Sequence, residues 1–274
     1  MKNIAQRSIT GIVFVILLVG CILFNQYSFG VLFLVISGLG VLEFNKLLGN
    51  EFESAQVSPL LAAVSGSVLF LSIFLFVSGT FDYRIFSLYP LIVIFAFIAE
   101  LYRKKENPIL NWAMFVLGQV YIALPFAMLS AIAFAQGAGK YNPMLLLAFF
   151  VTVWVYDSGA YLVGMALGKH RLFERISPKK SWEGFFGGVF FALVAAYVFS
   201  LFQPCMNVIQ WLIFSLLIVI FATFGDLSES LLKRTLGVKD SGNILPGHGG
   251  ILDRFDSILF ASFIITIYLQ FIFN

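Results

Sequence analysis

Asp226, Ser230 and Lys233 stand at i, i+4 and i+7 in an otherwise apolar run, a spacing that puts all three on one helix face. Glu229 lies beside that stripe and Arg234 follows it. Downstream, the stretch from Lys239-Asp240-Ser241-Gly242 to Pro246-Gly247-His248-Gly249-Gly250 is glycine-rich and leads straight into Ile251-Leu252-Asp253-Arg254-Phe255-Asp256. Gly249 and Gly250 let backbone N–H groups approach a phosphate closely, and His248 could donate to the same group. Asp253 and Asp256, three apart, share a helix face and can meet Asp226 from the preceding helix. Hard carboxylate oxygens from two helices, beside several Lys and Arg, suit a magnesium–nucleotide site, because Mg²⁺ takes one or two carboxylates plus phosphate oxygens and waters. Zinc is disfavoured: the two histidines, His170 and His248, have no cysteine near them. Glu229 and Lys233 also read as an ordinary i, i+4 ion pair. No such structural reading serves Asp226.

A second polar segment lies upstream. It runs Asp157-Ser158-Gly159-Ala160-Tyr161, then Gly168-Lys169-His170-Arg171, and on to Ser177-Pro178-Lys179-Lys180-Ser181-Trp182-Glu183-Gly184. Ala160, Gly164 and Gly168 at four-residue spacing, with Gly184 and Gly188 on the next helix, are explained by close helix packing. The basic cluster of Lys169, Arg171, Arg175, Lys179 and Lys180 serves topology or anionic headgroups on one reading. On the other, Lys179, Lys180 and Ser181 directly before a helix N-terminus bind phosphate.

These groups must be carried by elements suited to a bilayer. Of 274 residues 60% are hydrophobic and only 11% charged, far more apolar surface than a soluble core of this size buries. Strand alternation is absent, which disfavours a transmembrane barrel. The expected fold is an all-α integral membrane protein of about nine transmembrane helices, each near 20 residues. They fall near Ser8–Phe24, Ser28–Leu48, Ser58–Ser78, Ile85–Leu101, Asn111–Ala135, Pro143–Gly168, Ser181–Phe202, Val208–Lys233 and Ile251–Phe273. Pro125 is expected to kink the fifth. With no internal repeat or linker, residues 1–274 read as a single polytopic domain: a hydrophobic helical scaffold over 1–140, then catalytic helices and cytoplasmic loops over 141–274. The first helix outweighs a signal-peptide reading because further spans follow at once. Cys21 and Cys205 have neither disulfide nor metal spacing. The net charge of +3 reflects topology, not nucleic-acid binding.

With the N-terminus cytoplasmic and the C-terminus outside, only Arg84 and Lys140 of the 17 Lys and Arg fall on the outer side. That asymmetry is a strong positive-inside signal. Glu43, Glu100, Asp157, Asp226, Glu229, Asp253 and Asp256 then lie within or beside helices, mostly toward the cytoplasm, and an ionised group in hydrocarbon is costly unless paired, hydrated or metal-bound. Asp157 sits about eleven residues from its helix end, ~16 Å deep, and Asp226 roughly 10 Å deep. A cleft open to the cytoplasm would reconcile these depths with that cost.

The stretch Ser230 to Asp256 resembles the signature of phosphatidate cytidylyltransferases, also called CDP-diacylglycerol synthases. The matching positions are Ser230, Leu232-Lys233-Arg234, Lys239-Asp240, Gly242, Leu245-Pro246, His248-Gly249-Gly250-Ile251 and Asp253-Arg254-Phe255-Asp256. Asp157 to Tyr161 and Ile176 to Gly184 are also similar to the family, with Ser158 and Ser181 standing where Thr is more usual. The resemblance is sharp over the C-terminal half. It implies transfer of CMP from CTP to phosphatidate, giving CDP-diacylglycerol and pyrophosphate, in phospholipid biosynthesis at a bacterial-type cytoplasmic membrane, with the active site facing the cytoplasm. It also implies Mg²⁺ held by Asp226 and Asp253, K⁺ nearby as a second cation, and a homodimer. The catalytic candidates are Asp226, Lys233, Asp253, Arg254 and Asp256. Lys179, Lys180, Ser181, Ser230, Arg234, Lys239, His248, Gly249, Gly250 and Asp157 are candidates for holding substrate and its phosphates.

Two other readings remain open on the residues. A CTP-dependent polyprenol kinase needs the same nucleotide and metal but also a base, for which Asp157 is the best placed. An ion or substrate transporter would use Glu43, Glu100 and Asp157 as a path; the lack of repeats and of carboxylates in the outer helix halves weighs against it.

Overall fold

A computed structural model of the chain describes residues 2–51, 57–242, 244 and 249–273, without the side chains of 2–9 and 50–51. The helices follow the apolar runs: α1 Lys2–Phe24, α2 Gln26–Glu51, α3 Pro59–Val77, α4 Leu88–Arg103, α5 Pro108–Gly118, α6 Leu124–Ala133, α7 Pro143–Leu167, α8 Trp182–Phe202, α9 Val208–Thr235 and α10 Leu252–Phe273. A 3₁₀ turn, Tyr83–Ser87, leads into α4. Among the described residues eight helices are long and apolar enough to cross a membrane, with α5 and α6 counting as one span over Pro108–Ala133; the Thr10–Phe24 part of α1 is a shorter apolar helix.

Pro125 acts on its helix differently from a simple kink. The turn just before it, Gln119–Ala123, is a π-helix. Proline lacks an N–H and its ring crowds the carbonyl four residues back, so widening that turn lets the helix continue. The extra residue per turn is used for packing: Gln119 is buried and its Nε2 donates to the Ala62 carbonyl at 3.1 Å.

The expectation of helices and loops alone is corrected in one place. Arg171–Phe173 (β1) and Ser177–Ser181 (β2) form an antiparallel hairpin, Arg171 opposite Ser181 and Phe173 opposite Ser177. The basic segment is therefore a small two-stranded structure, clipped to the start of α8. Glu183 accepts from the backbone N–H of Lys169 at 3.1 Å, and its Oε1 lies 2.6 Å from His170 Nδ1. Trp182 N–H donates to the His170 carbonyl at 2.9 Å.

The chain forms two compact units. One comprises Met1–Pro143 with Leu236–Phe255, the other Met144–Thr235 with Asp256–Asn274. The first unit centres on α2 and α3 and on a cluster of phenylalanines. Phe29, Phe33, Phe126 and Phe255 are buried, and Phe255 meets Phe126 edge-on at 5.2 Å and Phe14 at 5.6 Å between ring centroids. Such edge-to-face pairs add about 0.5–1.5 kcal/mol beyond area burial, so the opening turn of α10 is anchored through Phe255. In the second unit Tyr156, Ala192 and Val219 form a core on which Ala160, Phe185 and Val189 pack. Tyr156 Oη lies 2.6 Å from Thr223 Oγ1, tying α7 to α9. The small-residue seam is present: a side chain at Gly184 would put its Cβ 2.7 Å from the Ala160 carbonyl.

Candidate active site

In the second unit, α7, α9, the part of α10 from Asp256 onward and the hairpin bring charged groups together. Lys180, next to last in β2, makes an ion pair with Asp226 of α9. Burial pushes the Lys180 pKa down, while the charges of Asp256 and Asp157 oppose that shift. One ammonium thus serves three carboxylates from three helices. Their closeness depends on Gly225, whose Cβ, were it present, would fall 2.5 Å from the Asp256 carbonyl oxygen. Any larger residue there would push α9 and α10 apart beside Asp226.

Ser230 Oγ donates to Asp226 Oδ1 at 3.5 Å, a long bond along the stripe expected from the i, i+4 spacing. Lys233 turns to Glu229 instead, 2.5 Å away. Glu229 is only 1% exposed, so this pair is the structural ion pair that the spacing also allowed. Arg234 is exposed at the end of α9.

Asp157 and Lys180 line a cleft of about 610 Å³. Its lining is of two kinds: the cations Arg171, Lys179 and Lys180, all from the hairpin, and the apolar or aromatic side chains of Tyr161, Met165 and Phe185 from α7 and α8 with Leu172 from β1. Asp157 lines the cleft and is exposed in it. Ser181 also lines the cleft, but it is buried and its hydroxyl accepts from Gly184 N–H at 3.1 Å as the N-cap of α8. Its visible work is to satisfy a helix donor.

The glycine-rich segment and the first residues of α10 belong to the first unit. Asp253 Oδ2 accepts from Gly250 N–H at 2.8 Å and from Ser241 N–H at 2.9 Å, with Ser241 Oγ 3.0 Å away. Gly249 has φ +84°, a left-handed conformation that a side chain would strain. Lys239 and Arg254 are exposed. His248, with residues 243 and 245–247, lies outside the described residues.

Two residues gain a place that motif reading had not given them. Glu43 of α2 is 4% exposed and accepts from Ser241 Oγ at 2.6 Å and from the Ile251 and Leu252 N–H groups at 2.9 and 3.1 Å. Its only signal in the sequence is an acid near the end of an apolar helix. Ser241 sits unremarked between two signature positions. Glu100, by contrast, is held by Asn111 at 2.5 Å and Arg103 at 2.7 Å, a structural arrangement.

Among the described residues no group of three or more His, Cys, Asp or Glu is arranged to hold a metal ion. A zinc-type cage is not what the donor chemistry offers. Lone carboxylates beside lysine are the donor set for Mg²⁺, which draws most of its ligands from phosphate and water. Asp226, paired with Lys180 in the second unit, is a single carboxylate of that kind, and Asp253, held by Gly250 and Ser241 in the first, is another.

Membrane-length helices that turn charged side chains into a cleft define a multi-span helical membrane protein with a polar site. The chain belongs to the Cytidylyltransferase family, whose sequence model matches residues 5–272. It is 48% identical over 145 residues to the phosphatidate cytidylyltransferase of Bacillus subtilis (strain 168), covering 53% of each protein. It is 50% identical over 117 residues to that of Staphylococcus aureus (strain COL), 42% of this chain and 45% of the relative. With the Haemophilus influenzae protein of the same name it shares 48% over 119 residues, 42% of this chain and 41% of the relative. The chain thus spans about half the length of the curated relatives it matches.

Proposed function

We propose that the chain is a phosphatidate cytidylyltransferase, transferring CMP from CTP to phosphatidate with release of pyrophosphate. One observation carries this most directly: the cleft is lined both by cations, Arg171, Lys179 and Lys180, and by apolar side chains, and Lys180 within it pairs with Asp226. A phosphate on a lipid needs both kinds of lining; an inorganic anion needs only the cations. The names of the relatives agree with it.

In the reaction a phosphatidate oxygen attacks the α-phosphorus of CTP. The new P–O bond forms as the α–β phosphoanhydride breaks, and pyrophosphate leaves. The attacking oxygen is already anionic, so no general base is required; the barrier is the approach of two polyanions and their alignment. Lys180, Lys179 and Arg171 offset that repulsion on the hairpin side, and Asp226 and Ser230 keep Lys180 aimed. Asp226 and Asp253 would hold Mg²⁺, which when bound neutralises the CTP phosphates and the leaving pyrophosphate. Lys239, His248 and the Gly249 backbone are assigned to phosphate, and Arg254 and Asp256 to the same chemistry, on the strength of the motif; the Gly250 N–H, expected to join them, is taken by Asp253. The reading further includes nine spans with the N-terminus cytoplasmic and the C-terminus outside, a cytoplasm-facing site in a bacterial-type membrane, K⁺ as a second cation, and a homodimer.

CTP labelled separately at the α- and γ-phosphorus, supplied with phosphatidate and Mg²⁺ to protein in detergent, tests the assignment. The α label is expected in lipid and the γ label in pyrophosphate. Entry of γ label into lipid would replace this reading with a lipid kinase. Turnover in detergent, without a gradient, would exclude transport as the primary activity.

A further inference from the structure

The N-terminus of α10 presents three consecutive N–H groups, at Gly250, Ile251 and Leu252, and all three donate to two buried or half-buried carboxylates. Gly250 N–H goes to Asp253 Oδ2 at 2.8 Å, Ile251 N–H to Glu43 Oε2 at 2.9 Å and Leu252 N–H to Glu43 Oε1 at 3.1 Å. Ser241 bridges the two acids, its Oγ 2.6 Å from Glu43 Oε1 and 3.0 Å from Asp253 Oδ2. Unmatched N–H groups at a helix start carry partial positive charge and attract anions. Here the anion is supplied from α2, far away in sequence.

Glu43 also accounts for two glycines of the signature. A Cβ on Gly242 would lie 2.7 Å from Glu43 Oε2, and one on Gly250 would collide with Glu43 Oε1 and with Ser241 Oγ. The loop wraps the Glu43 carboxylate so closely that side chains are excluded at both positions. Phe255, three residues on from Leu252, is fixed on its other side by Phe14, Phe33 and Phe126.

We infer that Glu43 is a positioning residue for the reaction: it fixes the backbone from Gly250 to Leu252, and through Gly250 and Ser241 it locks the carboxylate of Asp253. It touches no substrate. The inference rests on the proposed role of Asp253 as a metal-holding carboxylate, because only then does its orientation matter to turnover. Partners that orient a metal ligand typically change metal affinity by about 10–100-fold when removed.

The test uses full-length protein in detergent and the variants Glu43→Gln, Ser241→Ala and Asp253→Asn. Three quantities are measured: amide hydrogen exchange at Gly250, Ile251 and Leu252, the Mg²⁺ concentration giving half-maximal CMP transfer, and the KM for phosphatidate. For Glu43→Gln the expected result is faster exchange at those three amides, a half-saturating Mg²⁺ raised about tenfold or more, and an unchanged KM for phosphatidate. Unchanged exchange with unchanged Mg²⁺ dependence overturns the inference. A general loosening would instead raise the phosphatidate KM in parallel, and that outcome also overturns it. If Glu43→Gln does not fold, Ser241→Ala decides: it removes only the bridging hydroxyl and is expected to shift Mg²⁺ dependence in the same direction, and an unchanged dependence overturns the inference. Asp253→Asn separates the two levels. Normal CMP transfer in that variant removes the metal role of Asp253, while the exchange result still reports whether Glu43 holds the loop.

Discussion

Lys180 at the end of the hairpin makes an ion pair with Asp226 of α9, with the charges of Asp157 and Asp256 acting on the same ammonium. A cation held among three carboxylates has two opposite effects on the proposed chemistry. It lessens the pull of Asp226 on a metal ion and lessens the repulsion felt by an incoming phosphate.

Lys180→Met is therefore expected to separate them. Turnover should fall by about 10²–10³, the size of effect seen when one preorganised charge-stabilising group is removed. The Mg²⁺ concentration for half-maximal rate should fall too, because Asp226 has lost its competing ammonium. A rise in that concentration would contradict the assignment of Asp226 to metal. Asp226→Asn should nearly abolish CMP transfer in protein that still elutes as a single species.

Lys233 behaves as part of a buried pair, 2.5 Å from Glu229. Lys233→Ala takes the ammonium away from a carboxylate that is only 1% exposed. Removing one partner of a buried pair costs about 3–5 kcal/mol, so the thermal midpoint should drop strongly. Lys233→Met combined with Glu229→Gln should recover most of that stability. If the double variant also recovers turnover, Lys233 is structural; if turnover stays low, the stripe residue handles phosphate as well.

Ser181 caps α8 through Gly184 N–H. Ser181→Ala should cost about 1 kcal/mol and Ser181→Thr almost nothing, read from thermal unfolding in detergent. Since the cap also ends β2, the alanine variant should lose turnover more than stability alone explains, and threonine should restore it.

Cys205 lies between α8 and α9, and burial pushes its thiol pKa above the ordinary value. Only the thiolate alkylates, so at a given pH a raised pKa means less reactive thiolate. In a Cys21→Ala background, Cys205 should label with an impermeant maleimide slower than a model thiol, with the rate still climbing above the pH where the model thiol levels off. Labelling of intact spheroplasts, and not only of inverted vesicles, would agree with an outer position for this loop.

The helices were legible because hydrophobic runs of membrane length are hard to disguise: the expected start at Pro143 and the ends at Phe24, Phe202 and Phe273 are those observed. The hairpin was not. β1 is three residues, Arg171–Phe173, and its register is irregular, so no alternation exists to be read. The stripe of Asp226, Ser230 and Lys233 was visible as a helical face, yet the direction in which Lys233 turns depends on Glu229 being buried, which spacing alone does not reveal. Sequence alone leaves the partner of Asp226, Lys180, among several cations. Glu43 was noticed as an acid out of place; its partners are 198 to 209 residues away, beyond any local pattern.

That separation has a consequence for how the chain is made. At about 5–20 residues per second, α2 enters the bilayer some tens of seconds before the residues that will cap Glu43 have left the ribosome. An unmatched acid in a spanning helix is costly, less so toward the helix end where Glu43 stands, so until then its carboxylate depends on water at the membrane edge. A chain truncated before Gly250 never receives that cap, and the Glu43 carboxylate of its second helix stays without these partners.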